Sequence, residues 1–198
     1  LRDGVPHCFG NRCDGDSGFV GVTCEGTNAP IGVHPFRAVP HPEWPAGTTA
    51  EEIAVGLDHT CARVAGRVLC WGDNSSGQLG DGTTTASSAP VAVALPVDDA
   101  VALSAGDHFS CAIRRDRTVA CWGTGDERAL GSPISGFSSE PVAVPTITGA
   151  IAIASGRRHT CVRREDESIS CWGANNRGQV GTSASEFELP AEVVGLAG

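Results

Sequence analysis

The 198-residue sequence has no methionine and no tyrosine, and all 14 of its basic residues are arginine, so lysine is missing too. Long apolar runs are also missing. The longest, Val91 to Leu95 and Ala150 to Ala154, fall far short of the roughly 20 residues that a membrane-spanning helix needs, so no membrane insertion is expected. No apolar stretch near Leu1 has the form of an export signal, and with no initiator methionine we expect a mature or excised piece of a longer product. Positive charge is scarce as well. The formal net charge of −9 argues against nucleic acid as the main partner, because phosphate binding needs a basic surface. Against these absences stand 26 glycines, 12 prolines and nine cysteines. Glycine and proline at that density disfavour long helices. The length suits one or two domains, and 40% hydrophobic residues are enough for a core.

The cysteines recur in a pattern. Cys70-Trp71-Gly72 returns as Cys121-Trp122-Gly123 and Cys171-Trp172-Gly173, at spacings of 51 and 50 residues. Each tripeptide has an upstream cysteine, at Cys61, Cys111 and Cys161, and a glycine five positions before that one, at Gly56, Gly106 and Gly156. A hydroxyl residue precedes each upstream cysteine: Thr60, Ser110 and Thr160. Pro90-Val91-Ala92-Val93 returns as Pro141-Val142-Ala143-Val144, and more loosely at Pro190 to Val193. The chain therefore divides into an N-terminal segment, 1–49, and three copies, 50–96, 97–146 and 147–198.

Each copy reads as short strands. Val101 and Leu103, and again Ile151 and Ile153, alternate with alanine and serine, a period of two. Alanine in place of charge on the second face suits a sheet covered on both sides. The segment between the two cysteines of a copy reads as a hairpin, turning at Ala65-Gly66, near Asp116 and near Asp166. A glycine-rich loop and a Pro-Val-x-Val strand follow, giving about four strands per copy, the make-up of a propeller blade. In such a hairpin the two cysteines face each other across antiparallel strands, which predicts Cys61–Cys70, Cys111–Cys121 and Cys161–Cys171 disulfides. The rival reading is metal, but structural zinc usually wants close pairs such as Cys-x-x-Cys, and none occurs here. Three disulfides imply an oxidising compartment.

These motifs resemble the regulator of chromosome condensation (RCC1-like) β-propeller repeats over roughly residues 50–198. The resemblance is carried by Gly56-Leu57-Asp58-His59, Val68, Trp71-Gly72-Asp73-Asn74 and Gly77-Gln78-Leu79-Gly80-Asp81-Gly82. The last copy repeats it with Gly156-Arg157-Arg158-His159, Ile169, Trp172-Gly173-Ala174-Asn175 and Gly178-Gln179-Val180-Gly181. The middle copy departs: Phe109 stands where histidine is expected, and Asp126 to Leu130 replace the Gly-Gln element, which predicts a remodelled loop there. The resemblance implies an all-β propeller of about seven blades. Three copies cannot close such a ring, so we expect a partial ring completed by further blades of a longer chain. The paired cysteines are additional to the basic repeat and look like an exported version of it.

Residues 1–49 hold Cys8, Cys13 and Cys24, an odd number. Cys8-Phe9-Gly10-Asn11 reads as a degenerate Cys-Trp-Gly-x-Asn, with Pro35 to Val39 as the matching strand and Cys13–Cys24 stapling an insertion; this reading is preferred. Val20 to Gly26 also resembles the end of a scavenger-receptor cysteine-rich domain. Cys13 to Gly18 resembles the nucleophile loop of trypsin-like proteases, with Ser17 as the nucleophile and Gly15 beside the oxyanion hole, but its histidine and aspartate partners would precede Leu1. His7, Cys8, Cys13 and Cys24 could also form a zinc set.

His59 and His159 could be bases or ligands, and Trp71, Trp122 and Trp172 an aromatic ligand site. Recurrence at fixed places in a repeat assigns them instead to packing, together with Gln78, Gln179, Gly72, Gly123 and Gly173. Asp73 to Gly77 hints at a calcium loop but lacks the carboxylate spacing, and Asn74-Ser75-Ser76 is a glycosylation sequon. Arg114-Arg115-Asp116-Arg117 and Arg157-Arg158 read as solvated turns or a local basic patch. We therefore expect no catalytic, cofactor or metal residues, and a non-catalytic protein-interaction module that is extracellular, periplasmic or on a cell surface, with an unknown protein partner. Guanine nucleotide exchange on a small GTPase, enzyme inhibition and a protease carrying repeats are the alternatives.

Overall fold

The computed structural model describes residues 7–8, 39–40, 45–96, 99–134, 136–182 and 187–193. The proposed Cys13–Cys24 staple, the Ser17 loop and the segment 20–26 lie outside the described residues.

Each copy forms one four-stranded antiparallel meander in chain order. The first contains β3 (Glu52–Val55), β4 (His59–Val64), β5 (Arg67–Gly72) and β6 (Ser87–Ala92). The second contains β7 (Ala100–Ala105), β8 (Phe109–Arg114), β9 (Val119–Thr124) and β10 (Phe137–Ala143). The third contains β11 (Ala150–Ser155), β12 (His159–Arg164), β13 (Ile169–Ala174) and β14 (Phe187–Glu192). Among the described residues the protein is all-β, and its three sheets follow one another like the blades of a partial propeller ring. The innermost strands β3, β7 and β11 lie next to one another. Among the described residues no helix is long and apolar enough to cross a membrane.

A further ladder joins β1 (His7–Cys8) to β2 (Val39–Pro40), with Cys8 opposite Val39 and His7 opposite Pro40. Every blade repeats that register between its third and fourth strands: Cys70 faces Val91 and Leu69 faces Ala92, and likewise at Cys121 and Cys171.

The hairpins place Cys61 opposite Cys70, Cys111 opposite Cys121 and Cys161 opposite Cys171. The three disulfides form across these pairs, with Cα atoms 4.0–4.1 Å apart. Two-residue turning is achieved at Ala65 and Gly66, both left-handed, while Arg117 and Glu167 take φ of 66° and 68° in the polar turns. Asp116 and Asp166 stabilise those turns by accepting bonds from Thr118 and Ser168.

The core lies between the blades. One apolar cluster combines Cys61, Cys70, Val68 and Leu79 of the first blade with Leu103, Ala112 and Trp122 of the second. The next combines Phe109, the Cys111–Cys121 pair and Leu130 with Val162 and Trp172 of the third. The disulfide faces of the first and second blades thus receive the next blade's tryptophan. Burying such large side chains at about 25 cal/mol per Å² makes these joints the main apolar contribution to stability.

Candidate functional site

Each joint is built from the Gly-x-x-His element and the Trp-Gly element of successive blades. The Gly56 N–H donates to the His59 carbonyl at 2.9 Å, and the imidazole lies flat against Gly56, where a Cβ would collide with it. Gly106 and Gly156 hold Phe109 and His159 in the same way. Gly72, Gly123 and Gly173 have φ of +113°, +104° and +104°, and a Cβ there would meet the backbone of Asp58, His108 and Arg158. Trp is followed by Gly because the backbone takes a positive φ there while lying close against its own second strand.

Across the first joint, His59 Nε2 lies 2.7 Å from Ser110 Oγ, and Ser110 Oγ lies 3.4 Å from the Gln78 carbonyl. The same carbonyl accepts the Trp122 indole N–H at 2.9 Å. In the second joint the Trp172 indole N–H donates to the Ala129 carbonyl at 3.0 Å. Phe109 replaces the histidine there and offers no polar atom to Thr160. The Thr160 hydroxyl instead lies 2.9 Å from Ser155 Oγ, at a position occupied by Ala105 in the second blade. The Phe for His exchange is thus matched by a Ser for Ala exchange.

The loop after Trp-Gly is clamped by asparagine. Asn74, fully buried, donates to Asp81, Thr83 and Thr85 oxygens and accepts the Leu79 N–H at 2.9 Å. Asn175 accepts the Val180 N–H in the third blade. The sequon amide is therefore a structural clamp. Gln78 and Gln179 accept the N–H of Ser76 and Arg177 and fix their own loops. Among the described residues no group of three His, Cys, Asp or Glu side chains is placed to hold a metal.

The middle loop was expected to be remodelled, and it is in part: Asp126–Arg128 form a 3-10 segment in which Glu127 takes φ 55°, while its end keeps the common path. Gly131 N–H donates to the Arg128 carbonyl just as Gly80 does to Gly77 and Gly181 to Gly178. Arg128, φ 62°, occupies the left-handed position that glycine holds in the other copies. The surface changes too: Glu127 receives Arg158 of the next blade at 2.7 Å, and Phe137 is 52% exposed.

Beside the ring axis the inner strands end in three equivalent triplets, 55–57, 105–107 and 155–157, which line an open hollow of about 380 Å³. Their backbones are tied together: the Leu57 N–H donates to the Asp107 carbonyl and the Asp107 N–H to the Arg157 carbonyl. On this repeated frame the side chains differ. Val55 and Leu57 are 65% and 58% exposed, and Arg157 pairs with Asp107 at 2.6 Å. The expected basic patches are largely neutralised: Arg114 pairs with Asp99 and Asp116, Arg117 with Glu165, and Arg158 with Glu127.

Burial pushes the His59 imidazole down to about 4, helped by the nearby His108 and opposed by Asp73. His159, at the outer face of the third blade, is lowered by burial as well. Burial pushes Asp73 up, but hydrogen bonds from Ser75 and Gln78 outweigh it and hold the carboxyl below its ordinary value.

The sequence singled out the tryptophans, glycines, histidines and cysteines, and the joints bring together His59, Trp122 and Trp172 with the Cys61–Cys70 and Cys111–Cys121 pairs. It missed that the hydroxyl before the second blade's upstream cysteine serves the first blade. The signal was present at Ser110, but its partner His59 lies 51 residues away.

Two family models described as Regulator of chromosome condensation (RCC1) repeat match the chain. One covers residues 65–113, and the other covers 51–78, 100–127 and 150–179, one segment per blade. Among curated proteins, human and mouse E3 ubiquitin-protein ligase HERC2 are 37% and 36% identical over 67 residues, 33% of this chain and 1% of theirs. Among solved structures, yeast RCC1 (Prp20) bound to Kap60 aligns with a TM-score of 0.68 at 20% identity, covering 81% of this chain and 39% of that one. Prp20p from Saccharomyces cerevisiae, described with its binding to Gsp1p and histones, gives 0.69 at 20% identity over 81% and 40% of the two chains. Human WBSCR16 gives 0.67 at 19% identity, over 81% of this chain and 40% of that one. The chain therefore spans a small part of its curated relatives and about two fifths of these solved chains. Their likeness to it is one of fold.

Proposed function

The chain belongs to the RCC1 repeat family, and from that premise we propose that it is a non-catalytic protein-interaction module working outside the cell or at its surface. The observation that carries this reading is the axial frame. Three equivalent triplets, tied by backbone bonds, present Val55 and Leu57, then Ala105 and Asp107, then Ser155 and Arg157. A fixed frame with unrelated side chains is how repeat proteins build a recognition surface without disturbing their core. His59, Trp122, Trp172, Asn74 and Asn175 are meanwhile engaged in the joints and loops. A yeast propeller of this fold is described as binding Gsp1p and histones, so protein partners suit the architecture. Three disulfides favour an oxidising compartment.

The test is capture from secreted and surface fractions by the immobilised, oxidised chain, beside a Leu57→Glu/Arg157→Glu variant. The proposal expects a protein held by the wild type and lost with the variant. Capture that ignores both substitutions would remove the axial frame as the binding surface. Acceleration of nucleotide release from a small GTPase would favour the exchange reading instead. Thiol titration of denatured protein from its native source tests the compartment: six or more free thiols would exclude it.

A further inference from the structure

The two joints solve one packing problem in chemically different ways. In the first, a histidine fills the seat over Gly56; in the second, Phe109 fills the same seat over Gly106. His59 and Phe109 are both almost wholly buried, at 3% and 0% exposure. Only the histidine can change charge.

Its surroundings suit the neutral ring alone. With its proton on Nε2 the imidazole donates to Ser110 Oγ, and Nδ1 is buried without a hydrogen-bond partner among the described residues. Protonation would place an N–H on Nδ1, pressed against Gly56 with no acceptor. The titratable groups that act on the ring are His108, from the loop before β8, and Asp73, from the loop after β5. His108 Nδ1 is likewise buried without a partner among the described residues. Asp73 is already engaged by Ser75 and Gln78. Asp58 precedes the ring in the chain, and Asp107 beside His108 is held by Arg157. Cys61 and Cys70, which share the joint, are locked in a disulfide and do not titrate.

We propose that the joint between the first and second blades is an acid-labile hinge: protonating His59 parts the first blade from the second, while the second joint, sealed by Phe109, stays closed. The parting breaks the Ser110 and Trp122 contacts with the first blade and leaves each blade held together by its own disulfide.

An imidazole of ordinary pKa 6.5 in the open joint and about 4 in the closed one leaves the joint at full strength above pH 6.5, and weakens it as the pH falls towards 4. Between pH 7 and pH 5 the open fraction then rises about twenty-fold.

The indole N–H groups of Trp122 and Trp172 report the two joints separately, since each is hydrogen-bonded across one of them. Their hydrogen exchange is measured by NMR on the oxidised chain between pH 7 and pH 5, corrected for intrinsic exchange. Trp122 is expected to lose about twenty-fold of its protection while Trp172 keeps its own. His59→Phe, paired with Ala105→Ser to give Ser110 the partner that Ser155 gives Thr160, is expected to abolish the acid response. Phe109→His is expected to transfer an acid response to Trp172. Equal changes at both indoles in the wild type, or an undiminished response in His59→Phe/Ala105→Ser, would overturn the hinge. Should the double variant fail to fold, the wild-type comparison of the two indoles decides.

Discussion

The Trp122 indole nitrogen of the second blade donates to the Gln78 carbonyl of the first, and Gly80 lies against the same ring so closely that a Cβ would come within 2.6 Å of it. Trp172 stands in the same relation to Ala129 and Gly131. Two joints, with different loop sequences, present a carbonyl and a glycine to a tryptophan in the same way. Truncation of Trp122 to alanine should cost about 3–5 kcal/mol, whereas Trp122→Phe, which keeps much of the ring, should cost less. Chemical denaturation of the oxidised chain measures both. A Trp122→Ala loss under about 1 kcal/mol would mean that the joints do not carry the core.

Gly77 and Gly178 occupy equivalent places with the same φ of +75°, but only Gly77 is covered. A Cβ there would meet the Ser139 Cα of the next blade at 2.7 Å, while nothing lies within 4 Å at Gly178. Gly178→Ala should cost only the left-handed backbone term, about 1–2 kcal/mol. Gly77→Ala should cost clearly more, because backbone must move. Equal losses in thermal unfolding would contradict the packing of the second blade on the first.

Phe109 and Ser155 should be energetically coupled. Ser155→Ala strips Thr160 of its hydroxyl partner and should cost about 1–3 kcal/mol. Phe109→His in that background restores the arrangement of the first joint, a histidine opposite a hydroxyl with alanine beside it. A double-mutant cycle should therefore show a favourable coupling of about 0.5–3 kcal/mol at neutral pH. Strict additivity would sever the link between the two substitutions.

Asn74→Ala should loosen the 73–85 loop. The amide supplies bonds to Asp81, Thr83 and Thr85, and alanine leaves those oxygens and the Leu79 N–H to find water. A loss of about 1–3 kcal/mol is expected, with faster amide exchange at Leu79. Unchanged exchange there would show that the loop holds itself.

Much of the architecture was legible because the constraints lie within one copy. The Cys61–Cys70 pairing follows from strand period and hairpin length, and Gly72 from the turn after Trp71. The contacts between copies were less legible. That Ser110 belongs to His59 depends on how one blade sits on the next, which no period within a copy specifies. The departure of the middle loop was legible in its side chains, and its limit was not: Glu127 takes φ 55° in a 3-10 segment, while the Gly131 bond and the left-handed Arg128 keep the end of the loop on the common path. The arginine clusters read first as solvated turns, and their partners, Asp99, Glu127 and Glu165, were not legible because they come from neighbouring turns and blades.

Peptide mapping without reduction tests the central claim, three equivalent blades each closed by its own disulfide. Arg63 and Arg67, Arg114 to Arg117, and Arg163 and Arg164 lie between the paired cysteines, so trypsin cuts inside every hairpin. No arginine lies between Arg67 and Arg114, so Cys70 and Cys111 share one tryptic peptide, and a second protease that cuts before aspartate, as at Asp73 and Asp107, separates them. After both cuts the structure predicts three two-peptide species, joining Cys61 to Cys70, Cys111 to Cys121 and Cys161 to Cys171. A bond linking cysteines of different copies, or free thiols at these six positions, would contradict it.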